Sequence, residues 1–138
     1  MTSGPPAVAD LAAAVDLLSG IRGVGTVRQA LRAVLRGWGF TDADWLDAAA
    51  LVAGELVSNA VRHAGGGRAL LLRARGGHVW VSVVDGSSAR PVRSSTEGAD
   101  GGRGLLIVEA LSVRWGSAGH PGGKRVWARL VPYPELRY

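Results

Sequence analysis

The chain has 138 residues, no cysteine and a formal net charge of +5, which predicts one domain without covalent staples and excludes disulfides, thiolate zinc sites and cysteine nucleophiles. The histidines His63, His78 and His120 are scattered, which argues against a three-histidine metal site, and arginines are interleaved with acids instead of gathered in a basic patch, so no direct nucleic-acid contact is expected. Apolar runs fall well short of the ~20 residues that span a bilayer and no basic start with an apolar stretch opens the chain, so the expectation is a cytoplasmic protein with no membrane role.

Residues 1–9 are small and proline-rich, and are expected to be disordered. Residues 10–18 read as a short helix capped by Asp10, so that residues 1–25 form a flexible or short helical extension. A helix is predicted over 26–38, with Thr26 as N-cap, Val27, Ala30, Leu31, Val34 and Leu35 on its apolar face and Arg28, Arg32 and Arg36 opposite. Thr41, followed three residues later by Asp44, resembles a capping box for the next helix.

That helix runs to Ala64 with apolar residues recurring at helical spacing, which describes a core element. Within it Glu55, Asn59 and His63 fall four residues apart, on one stripe. Gly65, Gly66 and Gly67 end it. Residues 68–75 and 78–85 are strand-like and joined by Gly76 and Gly77, a two-residue hairpin turn.

No periodicity follows from 86 to 103, a length at which an unstructured segment is usually functional, so a lid-like loop is expected. Residues 104–111 read as a short apolar helix. A closing hairpin spans 112–117 and 123–131 across a turn at 119–122, and Pro132 and Pro134 end the sheet, leaving 132–138 as a tail. The tryptophans Trp38, Trp45, Trp80, Trp115 and Trp127 sit within periodic elements and read as packing residues. The elements sum to an α+β two-layer sandwich, a mostly antiparallel or mixed sheet with helices on one face.

Taken singly, the polar features are ambiguous. The Glu55 stripe reads as a solvated helix face or as a cradle for a metal-bound anion, and Asp85 reads as a strand-end turn former or as a base-reading carboxylate. The glycines at 102 and 104 permit a phosphate to approach a helix N-terminus. Ile107 stands where a dinucleotide fingerprint needs a third glycine, and around Lys124 the positions of Ala118 and Arg125 break a P-loop, so any phosphate site is of the helix-cap type.

Three stretches in order, Glu55-x-x-x-Asn59, Asp85-Gly86-Ser87 and Gly101-Gly102-Arg103-Gly104-Leu105, resemble the N, G1 and G2 boxes of the GHKL ATPase superfamily with its Bergerat fold. The likeness is closest to small anti-sigma-factor serine/threonine kinases and continues through Trp115-Gly116 and Gly122-Gly123-Lys124, with the ATPase domain over residues 26–131. The resemblance implies ATP and Mg²⁺ as cofactors, Asn59 as the metal-bridging residue, Glu55 as general base and Asp85 as the reader of adenine. It implies His63, Ser87, Gly102, Arg103, Gly104 and Leu105 as further nucleotide contacts, Ser87 standing where glycine is common.

The partners it implies are a sigma factor and a STAS-type anti-anti-sigma protein that receives the phosphoryl group, with a non-catalytic nucleotide-dependent binding module as the alternative. A homodimer is a further expectation. One departure concerns the strand after Gly-Gly-Lys, where a threonine commonly lies close to the adenine and this chain has Arg125. Such a cation either alters the adenine pocket or points to solvent.

Overall fold

The computed structural model describes residues 10–17, 23–87 and 102–134. Five strands and three helices are present among them: β1 (Asp10–Asp16), α1 (Val24–Gly37), α2 (Ala43–Ala64), β2 (Gly67–Arg75), β3 (His78–Asp85), α3 (Gly102–Leu111), β4 (Ser112–His120) and β5 (Gly123–Leu130). The strands form one sheet in the order β1-β2-β3-β5-β4, and every neighbouring pair is antiparallel. The expected α+β sandwich with its helices on one face is the architecture found. The expected disorder of residues 1–9 and most of the lid-like loop lie outside the described residues.

Strand alternation sorts the sheet into two faces. Leu70, Leu72, Ala74, Val79, Val81, Val83, Val126, Ala128 and Leu130 turn inward and are at most 2% exposed, against α2. The opposite face carries Leu71, Trp80, Ser82 and Trp127, which with Ala12 and Arg125 line an open groove of about 800 Å³. The groove is therefore on the side of the sheet away from the helices.

Residues 10–16 correct the helical expectation: they form the edge strand β1, paired from Asp10↔Arg75 to Asp16↔Ala69. Leu11 and Val15 are four residues apart, a spacing that suits a helix stripe and one face of a strand equally. Leu17, two further on, falls on that face only in a strand, and all three pack against the core. The Leu17 amide donates to the Arg68 carbonyl at 3.1 Å, continuing the pairing.

The helix starts also differ from expectation. α1 begins at Val24 after Gly23 (φ 80°), with no side-chain cap, so Thr26 lies inside the first turn. Val24 packs where a Cβ on Gly54 would sit, 2.8 Å from its Cγ1, and this contact draws the helix start toward α2. At α2 the cap is Asp42, which accepts from the Trp45 amide at 2.9 Å, and not Thr41. Thr41 has a different partner: its amide and that of Asp42 both donate to the Tyr133 hydroxyl, each at 2.7 Å.

Tyr133 is 1% exposed and closes an aromatic cluster with Phe40 and Trp45, ring centroids 5.1 Å away in both cases. The Trp45 indole donates to the Val131 carbonyl at 2.9 Å. The segment after β5 thus holds the start of the central helix. Tyr133→Phe keeps the rings and removes the shared acceptor, so unfolding free energy should fall by about 1–2 kcal/mol. Urea titration should show a lower midpoint with an unchanged slope.

Candidate functional site

α2 is buried on most of its circumference, with Ala49, Ala50, Val52, Ala53, Leu56 and Ala60 at 2% exposure or less. Its small residues let α1, the sheet and α3 approach closely, and the polar stripe therefore meets three environments. Glu55 is half-buried, Asn59 is 2% exposed and His63 is exposed. The Asn59 Oδ1 is enclosed and has no hydrogen-bond partner. An orphaned acceptor of this kind costs about 1–3 kcal/mol unless something else engages it.

α3 enters next to this stripe. A Cβ on Gly104 would lie 2.8 Å from Glu55 Oε1 and 3.3 Å from Arg62 Nη2, so the glycine is what allows α3 to seat against the carboxylate. Gly102 and Arg103 are the first two residues of α3, whose opening amides lack partners within the helix and carry its positive dipole end. Leu105, expected as a nucleotide contact, is fully buried and anchors α3 in the interior. Of the α2 side chains, Arg62 supplies a cation next to Gly104, and His63, the expected nucleotide contact, is the exposed residue after it.

Arg28 approaches from α1. A Cβ on Gly54 would come within 2.7 Å of its Nε, so the arginine stem crosses α2 at that notch, and its Nη2 stands 4.0 Å from Glu55 Oε2. The sequence placed Arg28 on a solvated face. The signal that could have found it is the one glycine inside α2, directly before Glu55.

At the sheet end, Asp85 shares the inward face with Val83 and is 1% exposed. Its Oδ1 accepts from the Ser87 amide at 2.8 Å and from Lys124 Nζ at 3.1 Å. Its Oδ2 lies 3.0 Å from the same ammonium but receives no directed hydrogen bond, so one buried acceptor remains uncommitted. Ser87 thus acts on Asp85 through its backbone. Lys124 is the register partner of Asp85 on β5.

That register also settles Arg125. It is the neighbour of Lys124, hence on the opposite sheet face, where it is exposed and lines the outer groove. The cation on the Asp85 side of the sheet is Lys124, and Arg125 points away from it. Arg68 is a further cation the sequence did not single out. Its guanidinium covers Gly86 and Gly122, with Nη atoms 2.9 and 3.3 Å from where their Cβ atoms would be.

The arrangement offers an amide-rich helix start with Glu55 beside it, and two enclosed acceptors, on Asn59 and Asp85. Among the described residues no three His, Asp or Glu side chains group to hold a metal. A magnesium ion held through Asn59 Oδ1 would then complete its shell with phosphate and water oxygens, as Mg²⁺ prefers, and the orphaned Oδ1 fits that role. The groove on the far face contains none of these groups.

Among the described glycines the closest approach is at Gly123, where any Cβ would overlap the Asp85 carbonyl oxygen. Gly123→Ala should therefore part β3 from β5 and lower stability by about 2–3 kcal/mol. Gly119→Ala, with nothing within 4 Å of the new carbon, is the matched control and should change stability far less. Urea denaturation of both reads the difference.

Among the described residues no helix is long and apolar enough to cross a membrane. No curated protein shows significant similarity to the chain. The family model for the histidine kinase-like ATPase domain matches residues 19–130, most of the chain and every element from α1 to β5. With a Bergerat-type sandwich beneath that match, the chain belongs to the histidine kinase-like ATPase domain family, an ATP-binding domain of the GHKL superfamily.

Proposed function

We propose that this protein is a cytoplasmic anti-sigma regulator that binds Mg-ATP and phosphorylates a serine or threonine of a STAS-type anti-anti-sigma partner. It holds a sigma factor when that partner is absent, and it acts as a homodimer. The observation that carries this reading is the pairing of a buried, unpartnered Asn59 Oδ1 with a half-buried Glu55 seated against the glycine at the start of α3. A phosphoryl donor needs an anion site and a proton acceptor side by side, and the two lie one turn apart on α2.

Each residue has a defined task. The α3 amides and Arg62 hold phosphate oxygens, and Asn59 supplies the protein oxygen to Mg²⁺, which when bound offsets phosphate charge. Asp85 accepts from the exocyclic amine of adenine. Glu55 takes the proton from the partner's hydroxyl as that oxygen bonds to the γ-phosphorus and the bond to the ADP oxygen breaks. Arg103 adds a positive charge at the helix start.

A second reading, a non-catalytic module whose partner affinity follows the bound nucleotide, is favoured by Arg28. Its guanidinium stands 4.0 Å from the oxygen of Glu55 that does not face Gly104, and a base must have an oxygen free. Both readings require nucleotide binding, and only the first requires transfer.

Mixing the protein with Mg-ATP and a STAS partner should label the partner, and Glu55→Ala should slow labelling by about 10² or more. No labelling above the Glu55→Ala level leaves the non-catalytic module. In thermal unfolding, nucleotide at 100 times Kd should stabilise the wild type by about 2.7 kcal/mol. Asn59→Ala should remove most of that gain, and its persistence would reject the metal-bridging role.

A further inference from the structure

The sequence contains fifteen arginines and one lysine, Lys124. That lysine is 4% exposed, whereas lysines are almost never fully buried unless paired. Its pairing with Asp85 does not explain its presence energetically. A buried ion pair can often be replaced by apolar residues of similar volume with no loss of stability. Nor is a generic cation sufficient, because a compact ammonium directs three rotatable donors from one point where a guanidinium is a rigid planar fork.

The geometry leaves both members incompletely used. Asp85 Oδ1 is committed to the Ser87 amide and Lys124, while Oδ2 is enclosed without a hydrogen bond. The ammonium makes one directed bond, to Oδ1, and stands 3.0 Å from Oδ2. An oxygen that is ion-paired but receives no directed hydrogen bond, and an ammonium with one directed bond among the described residues, therefore lie side by side at the inward end of β3 and β5. The hydrogen-bonding edge of adenine has the complementary pattern, an exocyclic N–H beside the ring nitrogen N1, an acceptor.

We infer that Lys124 is the second half of the base-reading site: Asp85 Oδ2 accepts from the exocyclic amine, and Lys124 Nζ donates to N1. This rests on the nucleotide reading above and adds a specificity-determining residue to it. Lys124 keeps Asp85 oriented through Oδ1 and presents the donor that a carboxylate alone lacks.

The probe is 1-deaza-ATP, which keeps the exocyclic amine and replaces N1 with C–H. In calorimetry with Mg²⁺, the wild type should bind it roughly tenfold or more weakly than ATP, the effect of losing a hydrogen bond to a charged group. Lys124→Met should bind the two alike. Equal binding by the wild type, or a difference that survives in a folded Lys124→Met, overturns the inference. So does tighter ATP binding by that variant, which would make Lys124 a plug.

Should Lys124→Met fail to fold, the single lysine permits a test in the unaltered chain. Labelling lysine Nζ with ¹⁵N gives one side-chain signal, which should shift and its protons exchange more slowly with Mg-ATP but not with Mg-1-deaza-ATP. The same response to both overturns the inference. No heat with ATP itself is a different failure, that of the nucleotide reading.

Discussion

Burying a helix on nearly all sides limits how polar its side chains can be, and α2 is the element on which the other layers close. Alanines and Gly54 keep its surface low enough for α1, α3 and three inner strands to reach it. The polar groups it carries are then held by packing instead of by their own flexibility. Glu55 sits between two helices, and Asn59 has no freedom to find water. An enclosed acceptor without a partner is tolerated only where the surrounding packing compensates, which is the usual circumstance of a binding residue.

The sheet contributes through parity. Side chains alternate strictly along β3 and β5, so Asp85 joins Val83 on the helix side, and Lys124 joins Val126. Arg125 and Trp127 fall on the other side for the same reason. A single residue of register separates Lys124, which touches the Asp85 carboxylate, from Arg125, which does not. The glycines Gly86, Gly122 and Gly123 make room there for Arg68 and for the Asp85 backbone.

How much was legible in the chain depended on whether two structural periods made different demands. The α2 pattern and the Gly76–Gly77 hairpin allowed one reading each, and both elements formed as expected. At residues 10–17 the apolar residues Leu11 and Val15 satisfied a helix and a strand together, and the open edge of β2 decided for the strand. The start of α1 lies where Val24 packs at Gly54, and the residues ahead of α2 are held by Tyr133, contacts between segments that local sequence does not reveal, while the α2 cap itself is Asp42, one residue past the expected Thr41.

Within the site, the Glu55 and Asn59 positions followed from spacing, whereas Arg28, Arg62 and Lys124 are defined by what crosses a glycine or faces across a strand. Nothing in the local sequence around Tyr133, between two prolines, marked it as buried.

The aromatic clasp has a consequence for the order in which the fold is completed. Tyr133 is separated from the amides it receives by 92 and 91 residues, and its own amide donates to Gly77 in the β2–β3 turn at 3.1 Å. During synthesis from the N-terminus, α2 and the first hairpin emerge long before the residue that ties them together. The two amides ahead of the central helix gain their shared protein acceptor only when the far end of the chain closes onto them, so this tie is among the most non-local in the fold and its loop-closure cost is met last, after contacts of shorter range.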